Sequence, residues 1–368
     1  EKMRITDYLA QAFTQNTPLI IHPKISKDTF TAPVIPHSLS FLAKNQDKQI
    51  KTVERDSVST NSELQYTDAS VAREKTRASL KIQDGCDFMC SFCIIPFARG
   101  RSRHRDFSNL QEEARMLVQE GAQEIVITGV NVGTYKTREL TIVDVVDFLN
   151  TLPGLARIRI SSIEPTTVPE TLFQYMSDPQ HKLVPFLHLP LQSGSDAVLQ
   201  KMKRCHSAAE YVDEIQMAFE TVPDLCIGTD LMVGFPEESE AEFESTLKLL
   251  DKLPLAYFHV FPFSARKGTP AFKKKEQVPP PIKLLRGKKL RSLSSKKRRD
   301  FHQRFLGQTR KVLWESRKPD GTISGYTDNY IRVDLDDTTG STLRNQILPT
   351  LLTRLLAQSM AGKIILDT

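Results

Sequence analysis

Three of the five cysteines, Cys86, Cys90 and Cys93, lie close together in C-x3-C-x2-C spacing. A structural zinc site takes four protein ligands, usually as two separated pairs, and the sequence contains no second C-x2-C pair. Each iron of a [4Fe–4S] cluster is normally held by one thiolate, so three thiolates would leave one iron open for a substrate or cofactor. The spacing favours an iron–sulfur site. A zinc site, a disulfide, a redox thiol set and chance spacing are the alternatives.

The segments around these cysteines place them on a loop within an α/β protein. Residues 78–82 have a strand pattern, and Asp84-Gly85 ends that strand in a turn. Downstream, strand-like and helix-like segments alternate, which predicts a parallel sheet with right-handed crossovers. The predicted strands are 78–82, 124–128, 157–161, 186–191, 225–232 and 257–261. Six such units fit a partial (β/α)6 barrel, and their spacing is also compatible with a doubly wound sheet.

Polar residues follow these strands repeatedly. At the carboxyl ends of parallel strands they would line the edge where barrels carry their sites. For each residue alone, a turn or a helix cap is the alternative interpretation. The residues are Gly129, Asn131, Ser161, Ser162, Glu164, Gln192, Ser193, Asp230, Gly234, Ser264 and Arg266.

The helices between the strands begin with capping signals. The tetrapeptides starting at Ser108, Ser207 and Ser239 have the pattern of capping boxes. Three consecutive prolines at 279–281 predict a stiff extended spacer, and residues 283–303 predict a helix rich in lysine and arginine.

Charge is distributed unevenly along the chain. The formal net charge is +6, but residues 266–311 contain 17 Lys or Arg against two acidic residues. One basic block on an otherwise acidic chain indicates a polyanionic partner, and a merely solvated helix face is the alternative. The sequence has no long apolar run and no signal-peptide pattern. Together with the odd number of cysteines, this predicts a cytoplasmic protein without a membrane partner.

Several blocks resemble the radical S-adenosylmethionine (SAM) methylthiotransferases, in particular the branch that modifies tRNA. These blocks are CDFMCSFCIIPFARG, ITGVN, RISSIEP, HLPLQSGSDAVLQKM, TDLMVGFP and HVFPFSARKGTPA. The resemblance implies a partial (β/α)6 radical SAM barrel in which Cys86, Cys90 and Cys93 bind a [4Fe–4S] cluster. It also implies a SAM pocket formed by Phe92, Gly129, Asn131, Ser162, Glu164, Gln192 and Ser193.

The family's chemistry is a radical reaction. The resemblance implies that SAM on the open iron is cleaved to a 5′-deoxyadenosyl radical, which removes hydrogen from C2 of an adenosine beside the tRNA anticodon. CIIPFARGRSR is most similar to members that act on N6-threonylcarbamoyladenosine. Isopentenyladenosine tRNA, a ribosomal protein aspartate and a non-catalytic RNA-binding relative are the alternatives. The implied partners are tRNA and an electron donor of the reductase or flavodoxin type, and the oligomeric state is left open.

The sequence departs from the family at two places. Glu237 stands where the GFPGET block has a glycine, which predicts an altered turn. The family also carries a second [4Fe–4S] cluster that provides sulfur, but residues 1–77 contain no cysteine. We therefore predict that 1–77 is a truncated or diverged remnant and linker, followed by a radical SAM core at 78–282.

A basic connecting helix at 283–306 and a C-terminal module at 307–368 complete the predicted organisation. The module resembles a TRAM domain, a small all-β RNA-binding barrel. We expect Trp314 in its core, and Tyr326 and Tyr330 on a base-stacking face. Cys205 and Cys226 are interpreted as ordinary thiols. The histidines lack the spacing of a metal-binding motif, and no chemistry is predicted for them. They are His104, His188, His206 and His259.

Overall fold

The computed structural model describes residues 29–31, 76–315, 317, 321–335 and 343–365. Most of the predicted N-terminal remnant lies outside these residues. The strands, in chain order, are β1 (Arg77–Lys81), β2 (Gln83–Asp84), β3 (Arg103–His104), β4 (Glu124–Thr128), β5 (Lys136–Thr137), β6 (Leu140–Thr141), β7 (Arg157–Ile160), β8 (Phe186–His188), β9 (Cys226–Val233), β10 (Tyr257–Pro262), β11 (Thr309–Trp314), β12 (Ser324–Thr327), β13 (Arg332–Leu335), β14 (Ile347–Leu355) and β15 (Met360–Ile364).

Eight α-helices accompany these strands in the described part of the chain. They are α1 (Ile95–Arg99), α2 (Phe107–Gln119), α3 (Ile142–Thr151), α4 (Thr171–Ser177), α5 (Asp196–Met202), α6 (Ala208–Thr221), α7 (Glu240–Lys252) and α8 (Pro280–Gln303). None of the helices among the described residues is both long enough and apolar enough to cross a membrane.

The six strands predicted from the sequence form one parallel array in chain order, although the fourth, β8, ends at His188 and is shorter than predicted. Strands β1, β4 and β7 pair in parallel, as do β8, β9 and β10. Parallel bridges from Ile158 to Leu183 and from Ser162 to His188 join the two halves. Side chains from all six strands line one cavity, so the array wraps around it as a partial barrel. The predicted α/β architecture is confirmed.

Local sequence explains where most of the helices begin. Ser207 and Ser239 both form the predicted capping boxes, each with the glutamate three residues later. The prediction for Ser108 is wrong. Asp106 caps α2 instead, because its carboxylate accepts the backbone N–H of Asn109 and the helix starts at Phe107. Asp106 and Ser108 both carry a side-chain oxygen near the start of α2, and the sequence pattern alone did not show which of them forms the cap.

The proline spacer is also absent from the structure. Pro280 and Pro281 form the first turn of α8, which runs to Gln303. Prolines fit this position because their fixed φ suits a helix and the first-turn N–H groups have no intrahelical partner. The basic helix therefore starts earlier than predicted, and only the first of the three prolines remains outside it.

The C-terminal residues form a closed five-stranded barrel in the order β11-β12-β13-β15-β14. Trp314 is fully buried in its core, as predicted. The barrel packs on the amino ends of the parallel strands. There, Arg157 on β7 donates to the carbonyls of Tyr326 and Lys311 at 3.0 and 2.6 Å. The barrel thus closes the end of the cavity opposite to the cysteine loop.

Candidate active site

The cysteine loop connects β2 to α1 and is fixed by long-range backbone hydrogen bonds. The N–H of Cys86 donates to the carbonyl of Gly100 at 3.2 Å. Ser91, between the second and third cysteines, donates from its N–H to Met202 at the end of α5 and accepts from Ala271. The spacing of the cysteines is local, but their positions depend on contacts from α5 and from the segment after β10.

All five cysteines are free thiols, so the disulfide alternative is wrong. Cys90 is buried, while Cys86 and Cys93 are half-buried. Burial raises the pKa of Cys86 to about 11. Burial also raises the pKa of Cys90, although the guanidinium of Arg204 opposes it. Iron bound here would supply the charge that converts such thiols to thiolates. Three free thiols on one fixed loop fit a cluster with one open iron.

A buried ion pair lies beside Cys90. Arg204 donates through Nη1 to Glu164 Oε1 at 3.1 Å and to Cys90 Sγ at 3.5 Å, and it forms a second contact with Glu164 through Nη2. Its Nη2 also donates to the carbonyl of Pro190 at 3.1 Å. Burial would lower the pKa of Arg204, but Glu164 and Cys90 outweigh this effect and raise it. Sequence reasoning selected Glu164 and missed Arg204, whose position just after α5 carried no recognisable signal.

Asn131 belongs to the hydrogen-bonded surroundings of the loop. Gln83 Oε1 accepts from the N–H groups of Val130 and Asn131, each at 2.9 Å, and Gln83 Nε2 donates to the carbonyl of Gly85 at the base of the loop. Asn131 is 2% exposed, and its Nδ2 has no hydrogen-bond partner among the described residues. An unsatisfied buried donor of this kind is the feature expected where a polar ligand is missing.

The other residues predicted for a SAM pocket are more scattered. Gly129 is exposed beside Gln83, where an added Cβ would lie 3.1 Å from the Gln83 carbonyl. Phe92 packs against the apolar cluster that contains Phe263. Ser193 is buried, and its hydroxyl contacts Thr246 on α7 at 3.3 Å.

Of the last two predicted residues, Gln192 is bound to β9 and Ser162 lines the barrel lumen. Gln192 has a φ of 73°, and its backbone pairs with Asp230 and Met232 of β9. Ser162 is exposed and lines the cavity. The structure therefore brings Glu164 and Asn131 to the cysteine loop, joined through Thr167, whose hydroxyl contacts Asn131 Oδ1 at 3.3 Å and the Glu164 carbonyl at 2.9 Å.

The turn that contains Glu237 keeps the backbone conformation of a glycine. Its φ is 67°, in the left-handed region that a non-glycine residue occupies at a cost of about 1–3 kcal/mol. Lys274 holds the Glu237 carboxylate through two contacts at 2.7 and 2.9 Å, and Lys201 donates to its carbonyl at 3.2 Å. Glu237 therefore has a backbone conformation that favours glycine and contacts Lys274 through its side chain, and the altered turn stays a prediction.

A cavity of about 530 Å³ occupies the barrel lumen. On its wall, His188 Nε2 and His259 Nδ1 both lie near Asp230 Oδ1, at 3.1 and 3.2 Å. Burial would raise the pKa of Asp230, but the hydrogen bonds from the two histidines outweigh it and hold the pKa below its usual range. The three side chains form a donor set that a metal ion could use, although their spacing in sequence gave no sign of it. Four arginines line the same cavity and disfavour a further cation.

The floor of the cavity comes from the C-terminal barrel. Tyr326 and Tyr330 stack with ring centroids 5.0 Å apart, and the Arg77 guanidinium lies 4.4 Å from the Tyr326 ring. Tyr330 also packs against Phe186 on β8. Both tyrosines line the cavity, so they face the lumen between the two barrels. The base-stacking face predicted for Tyr326 and Tyr330 stays a prediction, and the docking of one barrel on the other places both rings in the lumen.

The consecutive basic residues at 296–299 of α8 lie in different environments. Lys297 donates to the carbonyls of Asp251 in the last turn of α7 and of Leu253 just after it, at 2.5 and 2.8 Å. Arg298 points into the cavity, over the Tyr257 ring at 5.4 Å. Arg299 is exposed. Successive helical residues point about 100° apart, so a continuous charge run in the sequence becomes three different environments.

Comparisons with known proteins show which family this sequence resembles. The family model for the Radical SAM superfamily matches residues 80–250. The chain is 34% identical to threonylcarbamoyladenosine tRNA methylthiotransferase MtaB of Chlamydia pneumoniae, over 79% of this chain and 68% of that protein. It is also 34% identical to MtaB of Bacillus subtilis, over 76% of this chain and 64% of that one. A tRNA-2-methylthio-N(6)-dimethylallyladenosine synthase of Ehrlichia chaffeensis is 33% identical, over 79% and 67%. The chain thus spans about two thirds of the length of these relatives.

Proposed function

Because the chain belongs to the radical SAM tRNA methylthiotransferase family, we propose that it modifies C2 of an adenosine beside the tRNA anticodon with a methylthio group. The nucleoside we propose is N6-threonylcarbamoyladenosine, for which two of the relatives above are named. The observation that carries the proposal is the loop of three free thiols, which contacts the buried Arg204–Glu164 pair through Cys90.

In this proposal Cys86, Cys90 and Cys93 hold a [4Fe–4S] cluster. When bound, the cluster with SAM supplies the reducing chemistry that generates the 5′-deoxyadenosyl radical. Arg204 compensates negative charge at Cys90 and fixes the Glu164 carboxylate, which leaves Glu164 oriented toward the loop. The unpartnered Nδ2 of Asn131 is a hydrogen-bond donor for a polar group of SAM.

The tRNA would contact the outer side of α8 and the C-terminal barrel. Lys288, Arg291 and Arg299 are exposed along that helix, and basic side chains facing solvent suit phosphate contacts that release counterions. The closed five-stranded sheet at 309–364 is consistent with a TRAM-like RNA-binding barrel. A flipped-out base would then enter the lumen, since chemistry on a base requires its removal from the stack.

The sulfur donor is the part of the reaction for which this sequence offers no ligands. Outside the loop the cysteines are Cys205, which is exposed, and Cys226, which is buried in β9. These two cysteines are fewer than the three thiolates that a second cluster would require. The radical step is therefore the part of the proposal that the residues of this sequence support, with an electron donor of the reductase or flavodoxin type.

Anaerobic reconstitution tests the proposal. The chain should bind about four irons and form 5′-deoxyadenosine from SAM and a reductant. Cys205→Ala is the matched control and should retain both properties, since Cys205 is exposed and outside the loop. A chain that binds zinc at the loop, or that takes up iron without cleaving SAM, would contradict the proposal. Mass spectrometry of tRNA nucleosides from a deletion strain then identifies the modified adenosine.

A further inference from the structure

The cavity lining and the ion pair at the cysteine loop are adjacent along the chain, since Ser162 lines the cavity and Glu164 stands two positions later. Ile163 donates from its N–H to the carbonyl of His188 at 3.1 Å, and Glu164 follows it directly. Arg204 reaches the carbonyl of Pro190, two residues beyond His188. Ser162 and His188 line the upper part of the cavity, and Tyr330 its floor. A group that extends from the cysteine loop into the lumen would therefore enter this space.

Among the described residues, three of the four arginines in the cavity have a carboxylate partner. Arg77 pairs with Glu315, Arg159 with Glu124 and Arg332 with Asp334. For Arg298, the fourth, the described residues provide no acidic partner. Its contacts are the amide oxygen of Gln358 at 3.3 Å and the face of the Tyr257 ring.

A half-buried guanidinium without a carboxylate partner is suited to an anion from the ligand. Guanidinium groups bind carboxylates through paired N–H donors, with a strength that neutral hydrogen bonds lack. His259 adds a second polar group, because Asp230 holds its Nδ1 and leaves Nε2 as the other ring nitrogen. An apolar ligand group would instead bury Arg298 without compensation, which is unfavourable.

We propose that this cavity receives the N6 substituent of the target adenosine and that Arg298 pairs with a carboxylate on it. The inference rests on the proposed function and deepens it. The N6 substituent and the C2 hydrogen lie on either side of N1 and point in diverging directions, so C2 can face the loop while the substituent occupies the lumen. A threonylcarbamoyl group carries a carboxylate, whereas an isopentenyl group is uncharged and apolar. Arg298 would thus determine which of these two nucleosides the protein accepts.

Binding of three synthetic anticodon stem-loops tests the inference without turnover. They carry N6-threonylcarbamoyladenosine, N6-isopentenyladenosine or unmodified adenosine at the same position, and fluorescence anisotropy measures their Kd. The unaltered protein should bind the first about tenfold more tightly than the other two. Arg298→Met should remove this preference and leave the Kd of the unmodified loop unchanged. Arg299→Met, the control on the adjacent outward residue, should weaken all three loops equally.

Several results would overturn the inference. They are equal binding of the three loops, preference for the isopentenyl loop, or an Arg298→Met variant that still prefers the threonylcarbamoyl loop. Equal weakening of all loops by Arg298→Met would make Arg298 a phosphate contact. The same conclusion would follow if added inorganic phosphate removed the preference of the unaltered protein for the threonylcarbamoyl loop. Failure of the proposed function is separately visible, because SAM cleavage by the reconstituted chain requires no RNA. Circular dichroism of each variant confirms that it is folded.

Discussion

The cysteine loop and the lumen cavity are neighbouring regions with different origins in the sequence. The three thiols of the loop come from one short segment. The cavity takes side chains from Arg77 near the start of the sheet to Gln358 in the C-terminal barrel. A site within one segment can be recognised from residue spacing, whereas a site assembled from the whole fold becomes visible only once the elements are packed.

The two regions also differ in how completely their polar groups are satisfied. The loop region leaves Asn131 Nδ2 and Arg204 Nε without partners among the described residues. In the cavity, His188 and His259 both bond Asp230 and Arg159 is held by Glu124, while Arg332 Nε has no partner among the described residues. Unsatisfied groups at the loop are consistent with a site completed by a cofactor, and the bonded histidines and Asp230 with a preformed part of the cavity wall.

The largest expected effect comes from removing one thiol of the loop. Cys90→Ala should abolish 5′-deoxyadenosine formation, because the cluster would then be held by two cysteines and would lack one of its three anchoring thiolates. Stem-loop binding should stay within about twofold, since phosphate contacts provide most of the affinity. Product formation and anisotropy measure the two properties on the same preparation. If RNA binding is lost as well, the loop supports the cavity structurally, and the two regions are not separable.

A smaller effect is expected where the loop meets the cavity. Arg204→Met removes the partner of Glu164 and the donor to Cys90. It should lower SAM cleavage by about 10- to 100-fold, the range for residues that orient metal ligands. It should also destabilise the apo chain by up to about 3 kcal/mol in urea denaturation, because it leaves a largely buried carboxylate unpaired. Lys203→Met, on the exposed neighbouring residue, is the control. Equal effects of both variants would contradict a specific role for Arg204.

Sequence reasoning predicted the parallel strands and the two glutamate capping boxes because both are determined by near neighbours. The strand over Glu124–Thr128 has the predicted bounds, and Ser207 and Ser239 cap the helices predicted for them. Arg204 was missed because its role depends on an ion pair with Glu164, which lies 40 residues away in sequence. The position of Tyr326 and Tyr330 in the lumen could not be predicted for a similar reason, since the docking of two barrels determines which side chains line it.

A third prediction concerns the preformed floor of the cavity. Glu124 is fully buried between Arg159 and Arg157. Burial would raise its pKa, but Arg159 and then Arg157 outweigh burial and hold the pKa below its ordinary value. Such a carboxylate stabilises the fold above the unfolded pKa of about 4.3, and the contribution is lost as pH falls through the lower folded pKa.

Glu124→Gln should therefore cost roughly 3 kcal/mol at pH 7, and its difference from the unaltered protein should shrink as the pH is lowered below about 4. Urea denaturation across this range measures both quantities. Glu244→Gln, in an exposed pair with Lys289, should cost less than about 1 kcal/mol and is the control. A difference that stays constant with pH would mean that packing, and not the charge of Glu124, holds the cavity floor.

The smallest expected effect distinguishes charge that faces outward from charge used within the fold. Arg299→Met removes an exposed cation from α8 and should weaken stem-loop binding about twofold, with the slope of log Kd against log salt reduced by about 1. Lys297→Met removes a cation already bonded to the carbonyls of Asp251 and Leu253, so the slope should not change and the melting temperature should fall slightly. Anisotropy titrations at several salt concentrations measure the slopes. Equal reductions of the slope by both variants would show that the basic residues of α8 contribute to RNA binding regardless of the direction in which they point. The distinction between Arg298 as a cavity residue and Arg299 as a phosphate contact would then fail.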